Sequence, residues 1–294
     1  MLKLAHIVNP VVVKPTSDLY VAQPIAFESM QIAQAIAATH NLEVQLYSAQ
    51  FSEDEAFAKQ YFQTTPNLER SVLDFGEFKQ PRKLPLLQDI LNRLLVAASD
   101  ADYLIYTNAD ITLMPHFYLT VAQLIQQGYD AFVINRRTIS STYQTPTELP
   151  LMYAEVGKAH PGHDCFIFKR EAGANYQLDH VCIGISLVGK ALLINLISHA
   201  QRFAEFRHFH LTFHLGNDTI WQSEKLDDYT RHNLQSVNQI LAAYESEGGL
   251  VQHPLIQKII HNRNIEFWTN RQASTQPQSW KNKLRDRFSR WLNP

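Results

Sequence analysis

Apolar residues in the first half of the chain recur with two spacings, one typical of strands and one typical of helices. Short apolar runs predict buried strands over residues 4–13, 42–47 and 131–134. Between them, apolar residues three and four positions apart predict helices over residues 24–38 and 84–98. Because strands and helices alternate, we predict an α/β fold with a mostly parallel central sheet covered by helices on both faces.

The second half of the chain continues the pattern less regularly. We predict strands over 164–168, which begins with Asp164, and over 203–213, where His and Phe alternate. Helices are predicted over 187–199, 227–247 and 254–263. Residues 138–162 are rich in Thr, Ser, Pro and Gly and predict a long loop, whereas Ser52–Glu-Asp-Glu55 predicts a capping box that opens a short helix.

Composition restricts the class of protein. The 294 residues are 45% hydrophobic, which is enough for a sizeable core, and the net charge of −2 predicts no basic surface for nucleic acid. Two cysteines exclude a disulfide scaffold and fit a reducing compartment. No apolar run has the roughly 18–20 residues that a membrane-spanning helix needs. The N-terminus reads as a first strand rather than a signal peptide, so we expect a cytoplasmic protein.

The chain's most informative segment is an apolar strand, Tyr103-Leu-Ile-Tyr-Thr-Asn-Ala-Asp110, that ends in polar residues. Because side chains alternate along a strand, Asn108 and Asp110 point the same way at the edge of the sheet, where α/β proteins bind ligands. A short loop, Pro115 and a helical pattern through Gln127 follow. In the alternative interpretation, the two polar side chains only cap the loop and the next helix.

This order of a strand, a polar tip, a short loop, Pro and a helix resembles bacterial glycosyltransferases of the GT-A fold, similar to the family 2 nucleotide-sugar transferases. That fold has a Rossmann-like central sheet. The resemblance is carried, in order along the chain, by Asn9-Pro10, Arg82-Lys83-Leu84-Pro85, Asn108-Ala109-Asp110 with Pro115, Gly162-His163-Asp164-Cys165-Phe166 and His214-Leu215-Gly216-Asn217-Asp218. Asn108 departs from the family, which usually has an acid at this position.

The resemblance implies a nucleotide-sugar donor and a divalent metal, Mn²⁺ or Mg²⁺, that neutralises charge on the departing diphosphate. Asp110 and His214 would be the metal ligands, because Mn²⁺ and Mg²⁺ need few protein ligands. Asn108 would bind the metal through its amide oxygen or hydrogen-bond the ribose.

By the same resemblance, the end of strand one would line the nucleoside pocket through Asn9, Pro10 and Val11. Lys83 would reach the base or the phosphates, or else be a solvated lysine beside a helix. Arg136 and Arg137 follow a buried strand, and at least one would contact phosphate or acceptor unless it forms a surface ion pair.

Transfer with inversion also needs a base that takes a proton from the acceptor hydroxyl. Asp164, at the start of its predicted strand, is the first candidate and Asp218 is the second. In the alternative interpretation, Asp164 caps a turn or pairs with His163. A retaining enzyme would not need this base, so both stereochemical outcomes stay open.

A group of late histidines suggests a different class of enzyme. His208, His210 and His214 would project to one face of the strand predicted over 203–213, as in a zinc hydrolase. No H-E-x-x-H or paired-cysteine motif accompanies them. We expect His208 and His210 to be structural or to line the acceptor site.

The end of the chain has its own character. We assign residues 1–270 to the glycosyltransferase-like domain, 271–279 to a linker and 280–294 to a basic amphipathic helix with Trp280 and Trp291 on its apolar stripe. Such a helix binds an anionic membrane surface, here through 280–292, or packs on the domain or on a second subunit.

The sequence therefore predicts a metal-assisted glycosyltransferase, cytoplasmic or peripheral at the inner face of the membrane. It would move a sugar from a nucleotide sugar to a hydroxyl of a glycan or glycolipid acceptor during surface-polysaccharide or glycolipid assembly. Two alternatives stay open: an inactive nucleotide-sugar-binding or scaffold protein on the same fold, which Asn108 favours, and the zinc-dependent hydrolase.

Overall fold

The predicted central sheet is present in the computed structural model, which describes residues 1–216, 226–246 and 253–264, without the side chains of 262–264. The chain divides into two units, Met1–Leu250 and Val251–Pro294, and the sheet lies in the first. In its described part, the second unit contains a helix over Pro254–Asn264. The strands of the sheet are β1 (Lys3–Val8), β2 (Glu43–Ser48), β3 (Gln63–Thr64), β4 (Tyr103–Thr107), β5 (Thr112–Leu113), β6 (Ala131–Ile139), β7 (Lys158–Lys169), β8 (Phe203–Phe206) and β9 (Thr212–Leu215).

The strand order is β3-β2-β1-β4-β7-β6-β9-β5, with β8 also pairing with β6. Neighbours are parallel from β3 through β4, and β6 is parallel to both β8 and β9. In contrast, β7 is antiparallel to β4 and β6, because β6 and β7 are consecutive strands that turn back on each other. The last pair, β5 and β9, is also antiparallel. The prediction of a mostly parallel sheet is confirmed.

Helices cover both faces of this sheet, as predicted. In the first unit the described helices are α1 (Leu19–Thr39), α2 (Glu55–Ala58), α3 (Leu87–Ala97), α4 (Phe117–Gln126), α5 (Leu149–Ala154), α6 (Arg170–Gly173), α7 (Val188–His199) and α8 (Asp227–Ser246). Within the described residues, no helix is long and apolar enough to cross a membrane.

Alternation along the central strands explains the two covered faces. On one face, Ile105 and Ile167 share a buried cluster with Phe27 of α1 and Phe117 of α4. On the other face, glycines let helices approach closely: a Cβ added to Gly173 of α6 would lie 2.7 Å from the ring of Phe168. Successive residues Ile167 and Phe168 thus face opposite layers, as a strand requires.

The connection between β6 and β7 differs from the long loop predicted over 138–162. Strand β6 continues through Arg136 and Arg137 to Ile139, and β7 begins at Lys158. Between them lie a 3₁₀ turn (Pro146–Glu148) and α5. A reciprocal capping box at Thr145 and Glu148 opens the turn, so the Thr- and Pro-rich composition reflects helix-start chemistry rather than an irregular loop.

Two further local predictions are wrong. The strand predicted over 203–213 is divided into β8 and β9, which pair with β6 one after the other: Ile134 faces Phe206, and Arg137 faces Phe213. The chain leaves the sheet between Phe206 and Thr212. The alternation of His and Phe in the sequence continues through this break and therefore did not reveal it. The capping box predicted at Ser52 does not form, since the Ser52 hydroxyl donates to the neighbouring Glu53 instead.

A fully satisfied polar cluster is buried inside the apolar core. His6 of β1 places Nδ1 2.7 Å from the Tyr118 hydroxyl and Nε2 2.9 Å from Thr107 Oγ1. Burial lowers the pKa of His6 to about 3, so its ring is neutral at physiological pH. Cys165 and Cys182 are also buried, and neither forms a disulfide, as expected.

Several sequence-based assignments lie outside the described residues. They are Asp218, the linker over 271–279 and the basic helix over 280–294.

Candidate active site

The predicted polar tip of β4 lies beside the middle of β7. Strand β4 ends at Thr107, which pairs with Cys165, so the residues just beyond it lie next to Asp164. Asn108 Nδ2 donates to Asp164 Oδ1 at 3.3 Å, and Asn108 Oδ1 accepts from the Tyr106 hydroxyl at 3.3 Å. The structure therefore brings together the first base candidate and the residue that replaces the family's usual acid.

Asp110 lies in the turn after β4 and contacts His214 of β9. His214 Nε2 is 3.2 Å from Asp110 Oδ2, and His214 Nδ1 is 3.0 Å from the carbonyl oxygen of Gly216. The pairing of β5 with β9 explains this contact, because it fixes the turn beside His214. The two predicted metal ligands are thus in direct contact.

Electrostatics favour the charged forms of both partners. Burial by itself disfavours charge on either group, but the hydrogen bond and the opposite charge of the partner outweigh it. As a result the pKa of Asp110 is lowered and the pKa of His214 is raised.

Arg136 of β6 connects the two halves of the site. Its Nε lies 3.4 Å from Asp164 Oδ2. Because the Arg136 side chain is buried, this ion pair is not the surface ion pair that the sequence left open as an alternative. The positive charge of Arg136 also contributes to lowering the pKa of Asp110. Arg137, by contrast, points away: its guanidinium donates to the backbone carbonyls of Val156 and Gly157 and holds the β6–β7 connection.

Buried polar atoms without hydrogen-bond partners are concentrated here. Among the described residues, Asp110 Oδ1, Asp164 Oδ2, Arg136 Nε and Asn135 Oδ1 are buried and make no hydrogen bond. The Arg136–Asp164 contact is close enough for an ion pair but is not oriented as a hydrogen bond. More than about 90% of buried polar groups in proteins are paired, so such a concentration indicates a place prepared for a ligand.

The end of β1 forms a second part of the site. Asn9 Nδ2 donates to the carbonyl of Ala49 at 2.7 Å and ties the ends of β1 and β2 together. Pro10 is buried beside it. The Val11 backbone makes two hydrogen bonds with the amide of Gln23 on α1, at 2.9 and 2.8 Å. The segment after β1 is thereby held in one conformation.

Lys83 lies near this second part rather than near Asp110. Its Nζ is 2.8 Å from Glu53 Oε1 and 3.9 Å from the centre of the Phe51 ring. The adjacent Asp54 is buried and accepts from the Val12 backbone N–H at 2.7 Å, and burial raises the pKa of this carboxyl. Lys83 is therefore paired and stacked, and its side chain is 46% exposed, so its role at the site stays a prediction.

Two alternatives raised from sequence for the histidines are wrong. His208 and His210 lie in the turn between β8 and β9, so they do not share a strand face with His214. In the described part of the chain, no three His, Cys, Asp or Glu side chains are grouped to hold a metal. His163 pairs with Glu205 at 2.9 Å rather than with Asp164.

Asp164 lies inside β7. The prediction that it begins a strand is therefore wrong. The difference arises because β7 begins six residues earlier, at Lys158, through a segment that contains Pro161 and Gly162 and therefore looked like a turn.

The residues present fit a divalent cation. His214 Nδ1 faces a backbone carbonyl and Nε2 is directed at Asp110, so a bound cation would replace the Nε2 proton, and the carbonyl would fix the ring as in metal-binding histidines. Asp110 Oδ1 lacks any hydrogen-bond partner in the described structure. One carboxylate and one imidazole suit Mn²⁺ or Mg²⁺ when substrate phosphates and water supply the other ligands.

Sequence reasoning missed three residues of the site: Gln23, Asp54 and His160. Gln23 is, with Ser29, one of two polar residues among the buried positions of α1, which is the local signal for it. Asp54 lies in the acidic run 53–55 that was assigned to capping. His160 precedes Gly162 by two positions, and its contact with that glycine is described below.

Comparisons with known proteins were made by family, by sequence and by structure. No family model matches the chain, and no curated protein matches it. S. aureus TarS in complex with UDP-GlcNAc is 10% identical, with a TM-score of 0.45 over 84% of this chain and 73% of that one. The catalytic domain of Drosophila beta1,4galactosyltransferase 7 in complex with xylobiose is 11% identical, with a TM-score of 0.42 over 79% and 80%.

A third similar structure, 4-diphosphocytidyl-2C-methyl-D-erythritolsynthase from Anaerococcus prevotii, is 9% identical, with a TM-score of 0.40 over 79% of this chain and 95% of that one. Similarity at this level does not define a substrate, because the substrate depends on individual side chains. Function is therefore argued from the residues of the site.

Proposed function

We propose that this protein is a glycosyltransferase that moves a sugar from a nucleotide-sugar donor to a hydroxyl group of a glycan or glycolipid acceptor. The observation that carries the proposal is the buried cluster of Asp110, His214, Arg136 and Asp164, with its unpartnered polar atoms. It combines cationic groups, which suit a departing diphosphate, with a carboxylate, which suits a hydroxyl nucleophile.

The cationic side of the cluster would bind the donor. Negative charge develops on the diphosphate as the glycosidic bond breaks, and preorganised positive groups stabilise it most effectively where water is excluded. Arg136 supplies a fixed positive charge, and Asp110 with His214 would hold Mn²⁺ or Mg²⁺. When bound, the metal supplies Lewis-acid stabilisation of the phosphate oxygens.

Asp164 would act on the acceptor. The acceptor hydroxyl oxygen forms a bond to the anomeric carbon while its proton moves to the Asp164 carboxylate. The bond between the anomeric carbon and the phosphate oxygen breaks, and its electron pair leaves with the nucleoside diphosphate. Because Asp164 Oδ1 accepts from Asn108, Oδ2, which makes an ion-pair contact with Arg136 but no hydrogen bond, is the oxygen available for this proton. A single displacement of this kind inverts the anomeric configuration.

Asn108 supports an active enzyme over an inactive scaffold. An amide can donate a hydrogen bond to Asp164, as Nδ2 does at 3.3 Å, whereas a carboxylate at this position would place two negative charges together. The substitution of the usual acid therefore has a role in holding the base. Loss of catalysis is not needed to explain it.

The end of β1 would hold the nucleoside. Asn9, Pro10 and Val11 lie in a segment fixed by Gln23 and Asp54 close to Lys83 and Phe51. The Lys83 ammonium, held over the buried Phe51 ring, offers a positive charge that suits a nucleotide phosphate.

Calorimetric titration with a panel of nucleotide sugars, in Mn²⁺ and in chelator, tests the proposal. We expect one donor to bind, with a higher affinity in Mn²⁺, and to be transferred to a glycoside acceptor. If no donor binds under either condition, the proposed function is wrong. Donor binding without hydrolysis or transfer to any acceptor would instead support the scaffold protein.

A further inference from the structure

A β-bulge lies opposite Arg136. On β6, Asn135 pairs with His163 and Arg137 pairs with Ala159, so one intervening residue of β6 faces three of β7. We call those three residues, His160, Pro161 and Gly162, the β7 bulge. Bulges redirect side chains and are common beside active sites, and proline is tolerated in them because it has no N–H to donate.

In the bulge, the His160 side chain contacts the backbone of its own strand two residues further on. The Gly162 backbone N–H donates to His160 Nδ1 at 3.0 Å, and Asn135 Nδ2 holds the Gly162 carbonyl at 3.1 Å. A Cβ at Gly162 would lie 2.6 Å from His160 Cε1 and 3.4 Å from Asp164 Oδ2. The imidazole therefore occupies space that any other residue at 162 would fill, and this space borders Asp164.

This contact determines which ring nitrogen carries the proton. Because Nδ1 accepts a hydrogen bond, the hydrogen of the neutral ring is on Nε2, which donates to nothing in the described structure. Burial, followed by the charge of Arg136, lowers the pKa of His160 and keeps the half-buried ring neutral. The Nε2–H group of the neutral His160 ring can donate to a hydroxyl oxygen. The ring does not compete with Asp164 for the proton of the attacking hydroxyl, because its other nitrogen, Nδ1, already accepts from Gly162.

We propose that His160 Nε2–H binds the acceptor through a second hydroxyl, adjacent to the one that Asp164 deprotonates. The inference rests on the proposed function and narrows it: the acceptor carries hydroxyls on neighbouring carbons, as a sugar does. The space above Gly162 borders both Asp164 Oδ2 and the His160 ring. When one acceptor hydroxyl is held at Asp164, the hydroxyl on the adjacent carbon therefore comes within reach of His160. The β7 bulge thus serves acceptor binding, whereas Arg136 serves the donor.

Three kinetic quantities test this role: the acceptor KM with a panel of p-nitrophenyl glycosides, the rate of donor hydrolysis without acceptor, and the donor Kd. For His160→Ala we expect the acceptor KM to rise about three- to tenfold, as the loss of one hydrogen bond predicts. Hydrolysis and the donor Kd stay within about twofold, because water needs no second contact. His160→Gln, which keeps a donor, partly restores the KM. His163→Ala, on the same strand but paired with Glu205, serves as the matched control.

A double-mutant cycle with Gly162 sharpens the test. The new methyl in Gly162→Ala displaces the imidazole, so it raises the acceptor KM as His160→Ala does, and combining the two adds no further rise. An unchanged acceptor KM in His160→Ala, or an equal loss of donor hydrolysis, overturns the role of His160 while leaving the transferase intact. A wild-type protein that neither binds nor hydrolyses any nucleotide sugar overturns the proposed function and this inference together.

Discussion

The pKa values of two buried histidines of this protein move in opposite directions, although both side chains lie almost entirely out of solvent. The ring nitrogens of His6 in the core contact only hydroxyl groups, and burial lowers the pKa of this histidine to about 3. His214 in the candidate site faces Asp110, and that carboxylate raises its pKa despite burial. The comparison shows that the partner, rather than burial alone, decides the direction in which the pKa of a buried histidine moves.

The surroundings of the two histidines differ in the same way. Around His6 both ring nitrogens have partners, so the cluster is complete and contributes to stability. Around His214, carboxylate and guanidinium atoms of Asp110, Asp164 and Arg136 have no hydrogen-bond partner in the described structure. Substitutions in the first region should therefore cost stability, and substitutions in the second should cost activity.

Replacement of the proposed base gives the largest expected effect. In Asp164→Asn the side chain keeps its size and its contact with Asn108 but cannot take a proton. We expect kcat to fall about a hundredfold or more, the usual contribution of a general base, with a donor Kd within about twofold of wild type. Single-turnover transfer and calorimetry measure the two quantities. Wild-type kcat in this variant would remove Asp164 from the mechanism.

The core histidine gives the opposite pattern. His6→Leu leaves the hydroxyls of Tyr118 and Thr107 buried and unpaired, so we expect a loss of about 2–3 kcal/mol in the free energy of unfolding with kcat unchanged. Denaturant unfolding measures the loss. The triple variant with Tyr118→Phe and Thr107→Val removes the unpaired hydroxyls and should recover part of it. A fall in kcat without a fall in stability would contradict the assignment of His6 to the core.

His6 also gives a pH dependence with a definite sign. The unfolded chain binds a proton at this residue below its ordinary pKa of 6.5, whereas the folded chain does so only near 3. As the pH falls from 6.5 toward 3, the folded state therefore loses up to about 1.4 kcal/mol per pH unit from this group. The slope of unfolding free energy against pH should be shallower in His6→Leu over that interval. Equal slopes would show that the ring is protonated in the core.

The smallest effect is expected at Asn108. Asn108→Asp introduces an acid beside Asp164 and so places two carboxylates in contact, and such a pair keeps a proton to higher pH. We expect the acid limb of the pH profile of kcat/KM to move upward by about one unit, with near wild-type transfer at alkaline pH. Asn108→Ala, which removes the hydrogen bond but adds no charge, should lower activity and move the limb less than Asn108→Asp does. Higher activity of Asn108→Asp at neutral pH would show that an acid belongs there.

Much of the fold could be predicted because the apolar periodicity is strong where the elements are long. The spacing in α3, α7 and α8 and the apolar run of β4 identify these elements almost to their ends. Asn108 and Asp110 predict the position of the site, because polar residues directly after a buried strand have few structural explanations.

The rest depends on tertiary contacts that leave little trace in sequence. The β7 bulge exists because of its register against β6, and Pro161 with Gly162 read equally well as a turn. Gln23 acts through an amide that pairs with the distant Val11 backbone. The break between β8 and β9 was hidden because alternating His and Phe residues continue through it.

The central claim is that the unpartnered atoms around Asp110 form a donor-binding site. Calorimetric titration of the wild-type protein and of Asp110→Asn with nucleotide sugars in Mn²⁺ tests it most directly, with the exposed Asp100→Asn as the matched control. We expect metal-enhanced donor binding in the wild type and in Asp100→Asn, and at least tenfold weaker binding in Asp110→Asn, about 1.4 kcal/mol. Equal binding in all three proteins would contradict it.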